Sequence, residues 1–230
     1  MPEIRDSLAC IHTEVVACAR CPRLVAWREE AAARPPLRFR GQDYWARPVP
    51  GFGDARARLL VLGLAPAAHG GNRTGRVFTG DRSGDWLYRA LHRAGFASQP
   101  TSEHLDDGLR LRDCYVAAAV RCAPPDNRPA IDERDRCMPY LVRELAALAR
   151  LRVIVALGGF AWDAALRALR GRGVATPSPR PRFGHGAEAA VGAYLLIGSY
   201  HPSQQNTFTG RLREADFDAV FARSRAAVEG

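Results

Sequence analysis

Short apolar runs alternate with amphipathic stretches along most of this chain, which is the pattern of proteins built from β–α–β units. Four runs have the length and aliphatic content of buried parallel strands. They are residues 57–66, 114–120, 151–158 and 193–200. A central parallel sheet is therefore predicted, with right-handed crossovers covering both of its faces.

Positions with a helical period fill the intervals between these runs. A helix is predicted from Ser83 to Ala94, with Ser83 as its N-cap and Gly95 as the residue that ends it. Four further helical stretches are the first thirty-odd residues and residues 132–150, 160–169 and 214–228.

Two segments rich in proline and glycine, residues 34–53 and 172–190, are predicted to be irregular. The expected fold class is α/β, with residues 1–230 forming one domain. In such folds ligands bind beyond the carboxyl ends of the strands. That rule selects four loops, at residues 63–82, 121–130, 158–160 and 200–210.

The charge narrows the choice of partner. The chain has a formal net charge of +9, and arginine dominates its cationic residues. Arginine matches phosphate oxygens well, so a nucleic acid is the first candidate partner, although an arginine-rich and alanine-rich chain also reflects a GC-rich genome. No apolar run reaches the length of a membrane span, and the N-terminus lacks a secretory pattern. We expect a cytoplasmic monomer that does not bind membranes.

Four of the six cysteines have the spacing of a metal or cluster site. Cys18 and Cys21 form a Cys-x-x-Cys pair, while Cys122 follows a predicted strand and Cys137 lies early in a predicted helix. Four thiolates suit either zinc or an iron–sulfur cluster, and the spacing does not separate the two. A redox dithiol is the alternative for the first pair, but no thioredoxin-like unit surrounds it. The remaining cysteines, Cys10 and Cys114, are expected in the core.

The loop after the first predicted strand concentrates small and chemically useful residues. Its glycines and alanines, from Gly63 onwards, allow backbone N–H groups to approach a ligand closely. Arg73 and Arg76 are placed to meet phosphate. Phe78 is suited to stack on a base, although an isolated phenylalanine more often packs its loop against the core. The Gly-Lys-Ser/Thr ending of a P-loop is missing.

The loop after the last predicted strand begins with His201-Pro202-Ser203. A histidine at a strand's carboxyl end, followed by proline, is held stiffly enough to donate a hydrogen bond to a leaving group. A lone histidine is more often structural. The amides and the aromatic residue that follow within residues 204–208 resemble a wedge that enters DNA.

Four motifs in this order resemble the uracil-DNA glycosylase superfamily, and within it family 5, the B-type enzymes. They are Gly-Leu-Ala-Pro-Ala at residues 63–67, Arg-Thr-Gly-Arg-x-Phe-x-Gly-Asp at 73–81, Arg-Cys-Ala-Pro-Pro at 121–125 and His-Pro-Ser at 201–203. The resemblance spans nearly the whole chain. It implies an α/β/α sandwich around a four-stranded parallel sheet. It also implies a structural [4Fe–4S] cluster on Cys18, Cys21, Cys122 and Cys137, with the first two on an N-terminal helical segment.

The resemblance further implies an enzyme that flips uracil out of single- or double-stranded DNA and hydrolyses its N-glycosidic bond. Family relatives outside family 5 carry a carboxylate or an amide in the first motif, where this chain has Leu64 and Ala65. Asp81 is the nearest acidic substitute for positioning water, with Asn127 and Asp85 as further candidates. The looser pocket implies a range that includes hypoxanthine or etheno-cytosine.

The site residues expected on this basis fall into two groups. The expected catalytic residues are Asp81, His201 and Asn127. The expected contacts to substrate are Gly63, Ala65, Ala67, Arg73, Arg76, Phe78 and Ser203. Two other classes remain open, a non-enzymatic iron–sulfur protein that binds nucleic acid or acts as a sensor, and a hydrolase of free nucleosides.

Overall fold

The computed structural model describes residues 6–230, and within them one mixed sheet is flanked by helices on both faces. The strands are Phe52–Gly53 (β1), Leu59–Gly63 (β2), Cys114–Ala118 (β3), Val153–Leu157 (β4), Glu188–Val191 (β5) and Tyr194–Ser199 (β6). The helices are Leu8–Val16 (α1), Pro22–Ala33 (α2), Gly71–Thr74 (α3), Arg82–Arg93 (α4), Ile131–Ala147 (α5), Gly159–Gly171 (α6), Gln204–Phe208 (α7) and Glu214–Glu229 (α8). Short 3-10 turns span Leu37–Phe39 and Pro125–Asn127.

The sheet order is β1-β3-β2-β4-β6-β5, and its four inner strands run parallel. These four are the strands predicted from the apolar runs, so the α/β class is confirmed. The two outer strands pair antiparallel and lie in the segments predicted to be irregular. β1 has only two residues, and β5 is largely exposed. Neither therefore has the continuous apolar run by which a buried strand is recognised.

The core lies on both faces of the sheet because side chains of a strand alternate between faces. In β2, Leu59 and Val61 pack with side chains of α4 and α8. Leu60 and Leu62 point to the other face and pack with α5 and α6. All four leucine and valine side chains are fully buried, and each such burial stabilises the fold by roughly 1.5–3 kcal/mol.

Two predicted details of the helices are corrected. The N-terminal stretch forms two helices, α1 and α2, with the Cys18–Cys21 pair in the connection between them. The N-cap of α4 is Asp81 and not Ser83, because the Asp81 carboxylate accepts a hydrogen bond from the Gly84 backbone N–H at 3.0 Å. Gly95 follows the end of α4 with a φ of 74°, as predicted. Across the described residues, no helix is long and apolar enough to cross a membrane.

Candidate active site

The strand register brings the predicted loops together at one edge of the sheet. Gly63 at the end of β2 pairs with Ala118 of β3, and Leu157 of β4 pairs with Ser199 of β6. Because the four parallel strands end at nearly the same level, the loops that follow them share one surface. This is the edge where open α/β sheets bind ligands.

The loop after β2 presents a run of free backbone donors. Among residues 6–230, none offers an acceptor to the backbone N–H groups of Leu64, Ala65, Ala67, Ala68 or His69. The side chains here are mostly small, so a planar ligand can approach the backbone closely. Unpaired N–H groups at a strand's carboxyl end can bind the carbonyl oxygens of a base.

Phe78 and His201 face each other across this edge. Their ring centroids lie 5.7 Å apart, with 32° between the ring planes. The Phe78 ring also packs against the backbone of Gly63, where a Cβ atom would lie only 2.7 Å from Phe78 Cζ. Phe78 has a φ of 53°, a conformation that is costly for a bulky residue and concentrates at functional sites. It therefore packs on the core and remains only partly buried.

His201 is neutral at physiological pH. Burial lowers the pKa of its imidazole to about 4, because a charged ring would lose its hydration there. Its backbone carbonyl accepts a hydrogen bond from the Asn206 side chain at 2.9 Å, which fixes the start of the last loop. A neutral imidazole in a fixed position can donate its N–H to a developing anion.

Asp81 lies at the N-terminus of α4 with its carboxylate enclosed. One carboxylate oxygen accepts the Gly84 N–H, and the other lies over Gly70, where a Cβ atom would be 1.9 Å away. Burial raises the pKa of Asp81, while the backbone N–H groups of Gly84 and Ser83 act to lower it. Asp85 lies on the same helix with its side chain largely exposed, and the partial burial of its carboxyl raises its pKa also. Asp81 is thus the acid that the loop encloses.

The other predicted residues have different surroundings. Asn127 is exposed on the Pro125–Asn127 turn with a φ of 54°. Ser203 caps α7 by accepting the Asn206 N–H at 3.4 Å. Ala67 uses its carbonyl to accept the N–H groups of Gly70 and Asn72, so it shapes the loop. Ala65 packs beside the cysteines described below.

Arg73 and Arg76 hold the loop together. Arg73 donates to the carbonyls of His69 and Gly80, and its guanidinium lies 4.3 Å from the centre of the Phe39 ring. Arg76 is only 2% exposed, and it donates to Ser102 and to Asp107, the latter at 2.5 Å. The predicted phosphate contact of Arg76 is therefore corrected, because its guanidinium is committed to buried partners.

Three of the four predicted cluster cysteines share one buried pocket. Cys21, Cys122 and Cys137 pack together with Leu24 and Val120, and Cys18 lies at the border of this pocket. Each sulfur atom has a polar donor nearby, but burial outweighs these donors at three of the four cysteines and raises the pKa of the Cys21, Cys122 and Cys137 thiols, that of Cys122 to about 12. These donors are Arg20 and Tyr140 for Cys18, Arg136 for Cys21, Arg28 Nη1 at 3.3 Å for Cys122, and the Arg121 backbone N–H for Cys137.

In the part of the chain that is described, no three His, Cys, Asp or Glu side chains converge on one metal position. All six cysteines are free thiols. Cys114 is buried in β3 as predicted, whereas Cys10 is exposed on α1 and lies 3.5 Å from Glu14, so its predicted place in the core is wrong.

Four buried polar side chains near these sites were assigned no role from the sequence. Asn72 is fully buried, and its amide nitrogen donates to the backbone carbonyl of Arg28 at 3.1 Å. Arg28 in turn donates to Cys122, so one short path links the cysteine pocket to the loop after β2. A buried ion pair between Arg121 and Glu144 lies behind the same edge. The sequence does not reveal these contacts, because the partners are distant in the chain, although Arg121 stands in the third of the four motifs.

The family model for the uracil DNA glycosylase superfamily matches residues 50–225, which include the whole sheet and every loop at its carboxyl edge. The chain therefore belongs to the uracil DNA glycosylase superfamily.

Curated relatives narrow the comparison within the superfamily. The chain is 53% identical over 227 residues to the type-5 uracil-DNA glycosylase of Mycobacterium tuberculosis, covering 97% of this chain and 83% of that protein. It is 52% identical over 212 residues to the type-5 uracil-DNA glycosylase of Thermus thermophilus, covering 92% and 94%. The type-4 uracil-DNA glycosylase of Pyrobaculum aerophilum is 28% identical over 194 residues, covering 84% and 81%.

Proposed function

We propose that this chain removes uracil from DNA by hydrolysing the bond between the base and its deoxyribose. The observation that carries the proposal is the pairing of Phe78 with a neutral His201 beside the free N–H groups of the loop after β2. The product is an abasic site, and the partner is DNA. The similarity to type-5 uracil-DNA glycosylases supports this substrate.

The base must leave the helix before it reaches this site, because the glycosidic bond is inaccessible inside a duplex. The flipped uracil stacks on the free face of Phe78. The N–H groups between Leu64 and His69 bind its carbonyl edge. These N–H groups have no other acceptor in the described part of the chain, and Phe78 is only partly buried.

His201 acts as the leaving base departs. When the C1′–N1 bond breaks, its electron pair passes to the uracil ring and charge accumulates on O2. The neutral imidazole donates a hydrogen bond to that oxygen. A donor aimed at a developing oxyanion typically contributes about 10²–10³-fold in rate.

Asp81 orients the water that replaces the base. As a carboxylate it accepts a hydrogen bond from the water, whose oxygen forms the new bond to C1′. The surplus proton of the water passes to the carboxylate and then to solvent, and the uracil anion takes its proton from solvent. Asn127 is proposed to assist from the second loop when DNA orders the exposed turn. Asp85 is less suited, because its exposed carboxyl lies outside the enclosed loop.

Cys18, Cys21, Cys122 and Cys137 are proposed to hold a [4Fe–4S] cluster. A thiolate-bound cluster carries negative charge, and the pocket supplies three arginine side chains and one backbone N–H around the sulfurs. When bound, the cluster braces α1 and α2 against the edge of the sheet and supplies no chemistry to base excision.

The first motif supports a broad substrate range. Leu64 and Ala65 offer no polar side chain that would reject a base lacking uracil's pattern of donors and acceptors. Ala65 packs toward the cysteine pocket and leaves recognition to backbone groups. Hypoxanthine and etheno-cytosine are therefore proposed as secondary substrates, cut more slowly than uracil.

The test is single-turnover release of uracil from a duplex with one U·G pair. We expect His201→Ala and Asp81→Ala each to reduce the rate by about 10²-fold or more. His104→Ala and Asp106→Ala are matched controls, since both side chains are exposed outside the site. Near wild-type rates in both site variants would overturn the assigned roles.

A further inference from the structure

The loop after β2 is joined to a segment that precedes β1 and lies outside the region matched by the family model. We call residues 34–47 the rim segment. Two backbone hydrogen bonds join it to α3 in this loop, from Trp45 N–H to the Arg73 carbonyl at 2.9 Å and from Ala46 N–H to the Asn72 carbonyl at 3.0 Å. The rim segment therefore has a fixed position beside the proposed base pocket.

Side chains reinforce this attachment. The Tyr44 hydroxyl forms a hydrogen bond with His69 Nδ1 at 2.9 Å, and Gln42 accepts one from Arg73 at 2.9 Å. Two guanidinium groups lie close to the Phe39 ring, that of Arg38 at 4.7 Å and that of Arg73 at 4.3 Å from the ring centre. Arg73 also donates to the Gly80 carbonyl. This one side chain therefore links the rim segment to the stretch from Phe78 to Asp81.

The rim segment carries exposed positive charge that the rest of the described chain leaves unpaired. Arg38, Arg40 and Arg47 are all exposed, and none forms an ion pair within residues 6–230. The fourth arginine, Arg34, pairs with Glu30, and Asp43 is the single acid of the segment. Exposed arginines near a pocket for a base are suited to bind the phosphates on either side of that base.

An apolar side chain stands among these charges. Leu37 is 77% exposed on the Leu37–Phe39 turn, between Arg34 and Arg38 in sequence. A single exposed leucine is ordinary on a protein surface. Here, however, the leucine stands among exposed arginines on an element fixed to the base pocket. This combination matches the apolar contacts that proteins make with sugars and base edges in a minor groove.

We infer that the rim segment is a second DNA-binding element, in which Arg38, Arg40 and Arg47 bind the phosphates flanking the flipped nucleotide and Leu37 contacts the strand's apolar surface. The inference rests on the proposed function. The rim segment is hydrogen-bonded to α3 in the loop after β2, whereas His201 and α7 follow β6, and β4 lies between β2 and β6 in the sheet. The strand is thus bound from two sides while its base occupies the pocket.

A charge-matched comparison tests this inference. The rim variant is Arg38→Gln/Arg40→Gln/Arg47→Gln, and the control is Arg56→Gln/Arg150→Gln/Arg152→Gln. The three control arginines are also exposed and unpaired in the described chain, but they lie at or near the amino ends of β2 and β4, away from the pocket. Both variants lose the same net charge. Thermal unfolding curves verify that each remains folded.

The readout is fluorescence anisotropy of a duplex that carries a tetrahydrofuran abasic analogue opposite guanine, titrated from 50 to 200 mM salt. We expect the rim variant to reduce the magnitude of the negative slope of log K against log salt by about 2.7 and to weaken binding by about 10²-fold at 100 mM. The control should stay within about threefold of wild type. Leu37→Ser should weaken binding by about fivefold without changing the slope.

The outcomes separate the two proposals. Equal losses in the rim and control variants, or no loss in the rim variant, overturn the rim segment's role while wild-type uracil release leaves the proposed function standing. Absence of uracil release by the wild-type protein overturns the proposed function itself. Loss of binding confined to the rim variant, with wild-type release of uracil, supports both.

Discussion

Gly63→Ala is expected to disable base excision by displacing one aromatic ring. The added Cβ atom would lie 2.7 Å from Phe78 Cζ and 2.8 Å from Phe78 Cε2, well inside the 3.5–4.0 Å separation of carbon atoms in contact. The ring must therefore move by about 1 Å. Since a 1 Å misplacement at a reacting site costs about 10²-fold in rate, we expect single-turnover uracil release to fall by about that factor.

A double-mutant cycle shows whether the ring transmits this effect. If Gly63→Ala acts only through Phe78, it should cost nothing further in a Phe78→Ala background, so that the two losses are not additive. Gly184→Ala is the matched control, because its Cβ atom would meet Ala187 at an ordinary 3.5 Å. Additive losses, or a Gly63→Ala variant with the wild-type rate, would refute this reasoning.

Three further predictions concern stability and the cluster. His201 has a pKa of about 4 in the folded protein, below its ordinary value of 6.5, so the unfolded chain binds the proton first and the free energy of unfolding should fall as pH drops from 6.5 to 4. His201→Gln should show a smaller fall in urea titrations at each pH. Arg76→Met leaves Asp107 without its buried partner and should lower the free energy of unfolding by about 3–5 kcal/mol, and a loss below about 1 kcal/mol would contradict the structural role assigned to Arg76. Cys122→Ser should reduce the iron content and visible absorbance of the purified protein while Cys114→Ser retains both, and equal iron in the two variants would remove Cys122 from the ligand set.

The inner sheet could be predicted from sequence because each of its strands is a continuous aliphatic run. All five residues of β2, β3 and β4 are buried, so burial on both faces is encoded locally. The edge strands were not predicted, since their hydrogen bonding depends on a neighbouring strand that the local pattern does not reveal. β1 pairs with β3 through residues more than sixty positions away.

The sequence indicates the surroundings of some candidate site residues but not those of others. His201 and Phe78 stand in distinctive loops, and the chain brings them together because the strands before them end at the same edge. Arg76 was assigned to phosphate because its partner Asp107 is 31 residues away, in a region without a recognisable pattern. The N-cap role of Asp81 was hidden in the same way by Ser83, which is an equally acceptable cap by residue type.

The cysteine pocket shows a similar limit. The spacing indicates which four cysteines belong to one site. It does not reveal the arginine residues around them, because those arginines come from separate elements. Arg28 lies on α2 and contacts Cys122 94 residues away. Cys10 was misplaced because cysteine is usually buried, whereas its helix α1 turns Ile11 and Val15 inward and leaves Cys10 on the outer face.

The most direct measurement is the product released by wild-type protein from a duplex with one U·G pair, compared with the product from free deoxyuridine. Mass spectrometry of the supernatant and alkaline cleavage of the strand count free uracil and abasic sites separately. We predict one uracil per abasic site from the duplex and no release from free deoxyuridine. Binding to the duplex without uracil release, or release from the free nucleoside alone, would contradict the account.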